Sequence, residues 1–282
     1  MTYREICERL RRAGIESAAW DAELLLEHFC GVNRLELLAE PDRAWSSEAL
    51  ADAIKQREAR YPLQYLLGEW SFYRQTYEVS PDCLIPRADT KVLVEEAIRR
   101  LPQGAYFADL CTGSGCIAIS TLAERPDTRA VAVEKFAPTL ALAVKNAQKN
   151  RVSERMEPIC ADVLEDGFLP PNRQFDAILS NPPYIRREVL STLAPELAVE
   201  PQAALDGGED GLVFYRAILA NGAKHLTPNG FFLFEIGFDQ AEELRRLGAA
   251  AGFSDYTPVR DLGGCDRVVC LARPRTNAEG LA

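Results

Sequence analysis

The chain has 282 residues, 47% hydrophobic and 26% charged, enough for one large α/β domain with a small accessory one, which excludes wholesale disorder. Its net charge of −10 argues against a nucleic-acid partner, because gripping a phosphate backbone calls for a basic stripe. Met1 to Ile6 carries early acids and no apolar h-region, and the apolar stretch from Gly230 to Phe238 is broken by Glu235 and far short of the ~20 residues of a membrane span, so a cytoplasmic protein without membrane contact is expected.

Residues 1–60 read as helices only. Ala22, Leu25, Leu26 and Phe29 recur at i, i+3, i+4 and i+7, which puts them on one helical face. Ser46-Ser47-Glu48 is an N-cap with an acid in the first turn, ahead of the apolar pair Leu50 and Ile54. Gly31 and the Pro41-Asp42 turn separate the pieces. Such a unit is either a small packing domain or a module that docks a partner. Residues 61–90 read as a linker, crowded with Tyr61, Tyr65, Trp70, Phe72, Tyr73 and Tyr77; Trp70-Ser71-Phe72 and Tyr77-Glu78-Val79 spell a β-hairpin.

Residues 91–275 alternate strand and helix, and 276–282 read as a tail. Apolar runs at Ala105–Leu110, Ala130–Val133, Phe175–Leu179 and Phe231–Ile236 predict strands, with helices such as Pro138–Asn150 and Leu212–His225 between them. That order predicts a mostly parallel sheet with helices on both faces. The last two strands, near Phe253–Pro258 and Arg267–Ala272, are joined only by Gly263-Gly264 and should pair antiparallel. Eight scattered cysteines without a C-x-x-C pair, and only two histidines, predict reduced thiols and no metal site.

In open α/β sheets a ligand sits at the carboxyl ends of the strands, near the point where strand order reverses. The first strand of this region ends in Asp109-Leu110-Cys111-Thr112-Gly113-Ser114-Gly115 and runs into a helix; its glycines let backbone approach a ligand closely. Glu134 ends the next strand, about twenty residues on, where a carboxylate can accept from both ribose hydroxyls. Asp162, after the third strand, is placed to meet an adenine amino group, with Val163 beside the ring. Ile117 and Ala118 stand where a G-x-G-x-x-G loop continues toward its third glycine, and the loop holds no base. Two acids without a base argue against a diphosphate and for a cofactor bearing a sulfonium cation.

The strand Phe175-Asp176-Ala177-Ile178-Leu179-Ser180 runs directly into Asn181-Pro182-Pro183-Tyr184. An amide nitrogen is a poor nucleophile because its lone pair is delocalised into the carbonyl. A site that methylates it must hold both N–H groups so that the lone pair faces the methyl carbon. The Asn181 side-chain oxygen and the Pro182 backbone oxygen supply two acceptors, the prolines stiffen the loop, and Tyr184 offers a flat face for a planar group. Glutamine amides and adenine both present such an NH2, so this tetrapeptide alone leaves the acceptor open. The long segment from Ile185 to Gly211 is a candidate substrate wall.

At these residues the sequence resembles the HemK/PrmC family, the release-factor glutamine methyltransferases. The likeness also covers Asp21–Leu26, Pro62–Gly68 with Phe72-Tyr73, Leu84–Thr90, Asp206–Leu212, Arg260–Gly264 and Asp266–Val268. The resemblance implies a seven-stranded class I, Rossmann-like methyltransferase domain behind an all-α domain that docks release factors. It implies S-adenosyl-L-methionine as methyl donor and, as acceptor, N5 of the glutamine in the Gly-Gly-Gln loop of class 1 peptide chain release factors. Thr112, Gly113, Ser114, Gly115, Glu134 and Val163 would then contact the cofactor, Asn181 both cofactor and substrate, and Pro182 to Tyr184 the glutamine; a monomer is expected. A ribosomal-protein glutamine or an adenine N6 acceptor is the alternative. Cys111 departs from the family, standing where glycine is common, so a positive φ there would be costly; Ala88, Lys91 and Cys265 depart as well.

Overall fold

A computed structural model describes residues 1–40 and 42–274; Pro41 of the expected turn and the expected tail 276–282 lie outside the described residues. Four helices open the chain: α1 (Tyr3–Arg12), α2 (Ala18–Cys30), α3 (Arg34–Ala39) and α4 (Glu48–Glu58). Capping boxes at Thr2/Glu5 and Asn33/Glu36 start α1 and α3, and the Ser47 hydroxyl accepts from Leu50 N at the start of α4. Ile6, Leu10, Ala22, Leu25, Leu26, Leu50 and Ile54 are fully buried in one cluster, with Phe29 half-buried at its rim. Each large aliphatic there contributes about 1.5–3 kcal/mol by leaving water.

Helix α5 (Leu63–Leu67) then leads into the hairpin β1 (Glu69–Phe72) and β2 (Gln75–Glu78), which pair with Trp70 opposite Tyr77. The second strand begins two residues earlier than the aromatic pattern suggests. The two-residue turn at Tyr73-Arg74, with Tyr73 at φ 55°, reverses the chain at once. Tyr77 is buried, and its hydroxyl reaches Ser120 Oγ at 2.7 Å and Cys116 O at 3.3 Å, which fastens the hairpin to the helix behind the sheet.

After α6 (Lys91–Arg100) come β3 (Tyr106–Leu110), α7 (Cys116–Glu124), β4 (Arg129–Glu134), α8 (Ala137–Lys149), β5 (Met156–Cys160) and β6 (Phe175–Ser180). They are followed by α9 (Val213–Gly222), β7 (Leu226–Glu235), α10 (Ala241–Ala250), β8 (Asp255–Arg260) and β9 (Asp266–Ala272). The seven strands are ordered β5-β4-β3-β6-β7-β9-β8, with β9 antiparallel to both neighbours and the other pairings parallel. One apolar cluster fills each face, with Phe107, Ile119 and Leu233 on one side and Phe175, Tyr215 and Phe232 on the other.

Strand β5 lies at the sheet edge and buries little beyond Met156, which is why no apolar run marks it and why Pro158 is tolerated there. The chain winds outward from β3 through β4 to β5, then returns to lay β6 on the other side of β3. This reversal sets Leu110 beside Ser180 in register, and the turns that follow each strand open side by side.

Candidate active site

A cavity of about 250 Å³ opens at that reversal. Its floor is Cys111 to Ser114 from the turn after β3, and Val133, Glu134 and Lys135 from the end of β4. Asp162 and Val163 come from the turn after β5, and Asn181 and Pro183 from the turn after β6. Cys111, Thr112, Gly113, Ser114, Glu134, Asp162, Val163, Asn181 and Pro183, all singled out in the sequence, therefore share one cavity. Its opposite wall is the segment Asp82–Arg87 with Thr90, and Pro201, Ala203, Ala204, Asp206 and Phe214 close the side.

The wall at 82–90 lies in the segment expected to be a mere linker. Only the Leu84-Ile85-Pro86-Arg87 motif hinted at more. It is held by backbone anchors: Tyr65 donates to Cys83 O at 2.6 Å, Thr139 to Asp82 O at 2.6 Å, and Ile85 N to the buried Glu200 at 3.0 Å, which also pairs with Arg87. Asn146 in α8, fully buried, exchanges hydrogen bonds with the Glu78 backbone at 2.7 and 3.1 Å and donates to Ser114 O at 3.0 Å. It ties hairpin, helix and the turn after β3 together, and no local pattern in the sequence signals it.

Glu134 is 8% exposed, and its two oxygens accept from Gly113 N and Phe136 N, each at 3.1 Å. Burial raises its pKa, and those backbone N–H groups hold the rise in check. An ionised carboxylate has further lone pairs, so two more hydroxyl donors can be accepted from the cavity side. Asp162 is partly buried, but Lys135 at 2.8 Å and Leu164 N at 2.9 Å hold it below the usual carboxylate range. Nothing in the sequence pattern points to Lys135 as that neighbour.

Four residues expected in the site do not line the cavity. Asp109 is fully buried beneath the turn, where it accepts from Thr112 Oγ1 at 2.6 Å and Ala118 N at 3.1 Å; burial pushes its pKa up to about 7. It braces the turn from below because β3 ends before the chain rises to the cavity. Gly115, at φ 81°, is the left-handed residue that starts α7, and a Cβ there would lie 2.7 Å from Ile119 Cδ1. Pro182 is buried in the turn itself. Tyr184 packs against the second apolar cluster, with its phenol pushed up to about 12 by burial and its carbonyl accepting from Gln240 Nε2 at 3.1 Å. Cys111 does take the costly conformation, at φ 57°, because the chain must reverse between β3 and the helix that follows.

The segment 185–211 is bound at both ends of its course. Gly207 and Gly211 lie against the Tyr184 backbone, so closely that a Cβ would come within 2.8 Å of Tyr184 Cα at the first and 2.5 Å of Tyr184 O at the second. Further out, Glu196 meets Arg57 at 3.1 Å and Arg60 at 2.8 Å, linking this wall to the helical domain. Arg57 is itself buried against Asp21 at 2.7 Å.

Two family models match the chain, the PrmC N-terminal domain over residues 2–68 and the methyltransferase small domain over residues 88–221. The release factor glutamine methyltransferase of Geobacter sulfurreducens is 39% identical over 92% of this chain and 91% of its own length. That of Salmonella typhimurium is 37% identical over 90% of this chain and 92% of its own. Among solved structures, a methyltransferase from Pyrococcus furiosus superposes with a TM-score of 0.54 over 70% of this chain and 88% of that one; at 16% identity the likeness is one of fold.

Proposed function

Because the chain belongs to the release factor glutamine methyltransferase family, we propose that it transfers the methyl group of S-adenosyl-L-methionine to the side-chain amide nitrogen, N5, of a glutamine in class 1 release factors. The observation that carries the reading is the juxtaposition of Glu134 and Asn181 across one cavity, at the adjoining ends of β4, β3 and β6. Residues and donor fit each other. The turn Thr112–Ser114 leaves room for a ligand against backbone, Glu134 has acceptor capacity for vicinal hydroxyls, and the nearest cation, Lys135, is already held by Asp162.

When bound, the donor supplies an electrophilic methyl carbon on a positively charged sulfur. Glu134 would hold the ribose, and Asp162 and Val163 would meet the adenine. Asn181 Oδ1 and, although its ring is buried in the turn, the Pro182 carbonyl would accept the two amide hydrogens and so turn the lone pair toward the methyl carbon. Positive charge would develop on nitrogen as it takes the methyl group from sulfur, the two oxygens would stabilise it there, and one amide proton would then pass to water. Alignment of nitrogen and carbon removes up to ~7–11 kcal/mol of barrier, and no titrating base is needed before transfer. The helical domain docks the release factor, and the overall acidity disfavours a nucleic-acid acceptor.

Incubation with methyl-labelled donor and either a release factor or an adenine oligonucleotide, followed by mass spectrometry, tests the reading. Label on the glutamine is expected, and label confined to the oligonucleotide would refute it. Asn181→Ala should lose turnover by several orders of magnitude with a smaller loss of donor affinity; equal losses would assign Asn181 to binding.

A further inference from the structure

A carboxamide has two faces, and only one serves the chemistry. With Oδ1 toward the incoming NH2, Asn181 accepts a hydrogen; turned over, it would set N–H against N–H. Something must hold the correct face forward. Asn181 Nδ2 donates to Thr90 Oγ1 at 3.2 Å, and Thr90 is 2% exposed, at the end of the short turn that opens α6. A hydroxyl alone cannot choose, since it donates and accepts with equal ease.

Glu235 breaks the tie. It ends β7, the neighbour of β6, and is 1% exposed, with one carboxyl oxygen lacking any hydrogen-bond partner among the described residues. The hydroxyls of Thr90 and Tyr184 lie near its carboxyl. Arg267 stands nearby, held by Asp261 at 3.1 Å and Asp89 at 3.3 Å. Once ionised, that carboxylate only accepts, so the Thr90 proton would turn to Glu235 and the Thr90 lone pair would be left for the Asn181 N–H. Burial raises Glu235 to about 7, with the Thr90 hydroxyl and the Arg267 charge holding the rise in check, so the accepting form takes over as pH climbs through that value.

We infer that Thr90, oriented by Glu235, is a positioning residue that locks the Asn181 carboxamide with Oδ1 toward the transferable nitrogen. The inference rests on the methyl-transfer reading above. It also gives the segment before α6 a role in catalysis without contact with the reacting atoms.

Thr90→Val keeps the branched shape and removes the hydroxyl; Thr90→Ser keeps the hydroxyl. With saturating donor and a release factor, Thr90→Val should lower kcat about 10- to 100-fold, the scale of a misplaced catalytic group. Thr90→Ser should restore most of it. Calorimetric affinity for S-adenosylhomocysteine should stay within about twofold of the parent for both variants, as expected of a group that acts on the transition state. Parental kcat in Thr90→Val overturns the inference. So does a loss shared by both variants in step with S-adenosylhomocysteine affinity and melting temperature, which would mark Thr90 as packing. Should the parent enzyme label a different acceptor, the proposed substrate falls, and the Val-to-Ser ratio on that acceptor still decides the role of Thr90.

Discussion

Gly211→Ala presses a methyl group into the back of the Asn181–Tyr184 turn. Gly211 sits at φ 74°, and an added Cβ would lie 2.5 Å from the Tyr184 carbonyl oxygen and 2.7 Å from Gln240 Nε2. The same Gln240 nitrogen donates to the carbonyls of Tyr184 at 3.1 Å and Gly211 at 3.3 Å, so the intrusion strikes both the turn and its tether. A left-handed conformation costs an L-residue about 1–2 kcal/mol. Overpacking adds about 1–3 kcal/mol. The stiffer unfolded chain returns only about 0.4–1 kcal/mol. The net destabilisation is therefore about 1–5 kcal/mol, of which the contact term is the part that reaches the active site. Gly252→Ala separates the two contributions: its φ is 86°, but nothing lies within 4 Å of its added Cβ. Urea denaturation should show Gly211→Ala losing at least about 1 kcal/mol more than Gly252→Ala. Methyl transfer should fall in the first variant and stay parental in the second. Equal destabilisation of the two, with parental turnover in both, would show that this glycine does not fix the position of the Asn181–Tyr184 turn.

Glu134→Gln should weaken S-adenosylhomocysteine about 10- to 100-fold in calorimetry, the scale of hydrogen bonds to a charged group. Because burial raises the Glu134 pKa, parental affinity should decline as pH falls through that value and the variant should not follow; a shared pH dependence would remove the ribose role. Asp109 is lifted from 3.8 to about 7, so the folded state holds its proton more tightly than the unfolded chain, and stability drops as pH rises between about 4 and 7. Asp109→Asn keeps an acceptor for Thr112 and Ala118 but cannot ionise. Its stability relative to the parent should therefore be higher at pH 8 than at pH 5, and an equal difference at both would contradict the assignment. Cys111→Gly relieves a left-handed φ of 57° and should stabilise by up to about 1 kcal/mol after the added freedom of the unfolded chain; a loss in denaturant midpoint would show that thiol packing outweighs strain.

Local chemistry wrote much of this protein into its sequence. Helical periodicity gave the face of α2, the Ser47 cap gave the start of α4, and strand–helix alternation gave the sheet, because each depends on neighbours within a few residues. The turns at Cys111–Ser114 and Asn181–Pro183, with Glu134, were legible for the same reason: glycine, proline and a carboxylate at a strand end each carry a conformational or chemical constraint of their own. The edge strand β5 was faint because an edge needs little apolar surface.

What the tertiary structure alone decided concerns partners distant in the chain. Asp109 and Tyr184 look like site residues in the sequence, yet strand register turns one beneath the turn after β3 and packs the other into the second apolar cluster. Asn146, Glu200 and the wall at 82–90 reach the site through hydrogen bonds spanning 32 to 115 residues. Thr90 meets Asn181 across 91. No window of sequence holds both ends of such a bond, and only the winding of β6 back beside β3 brings them within reach.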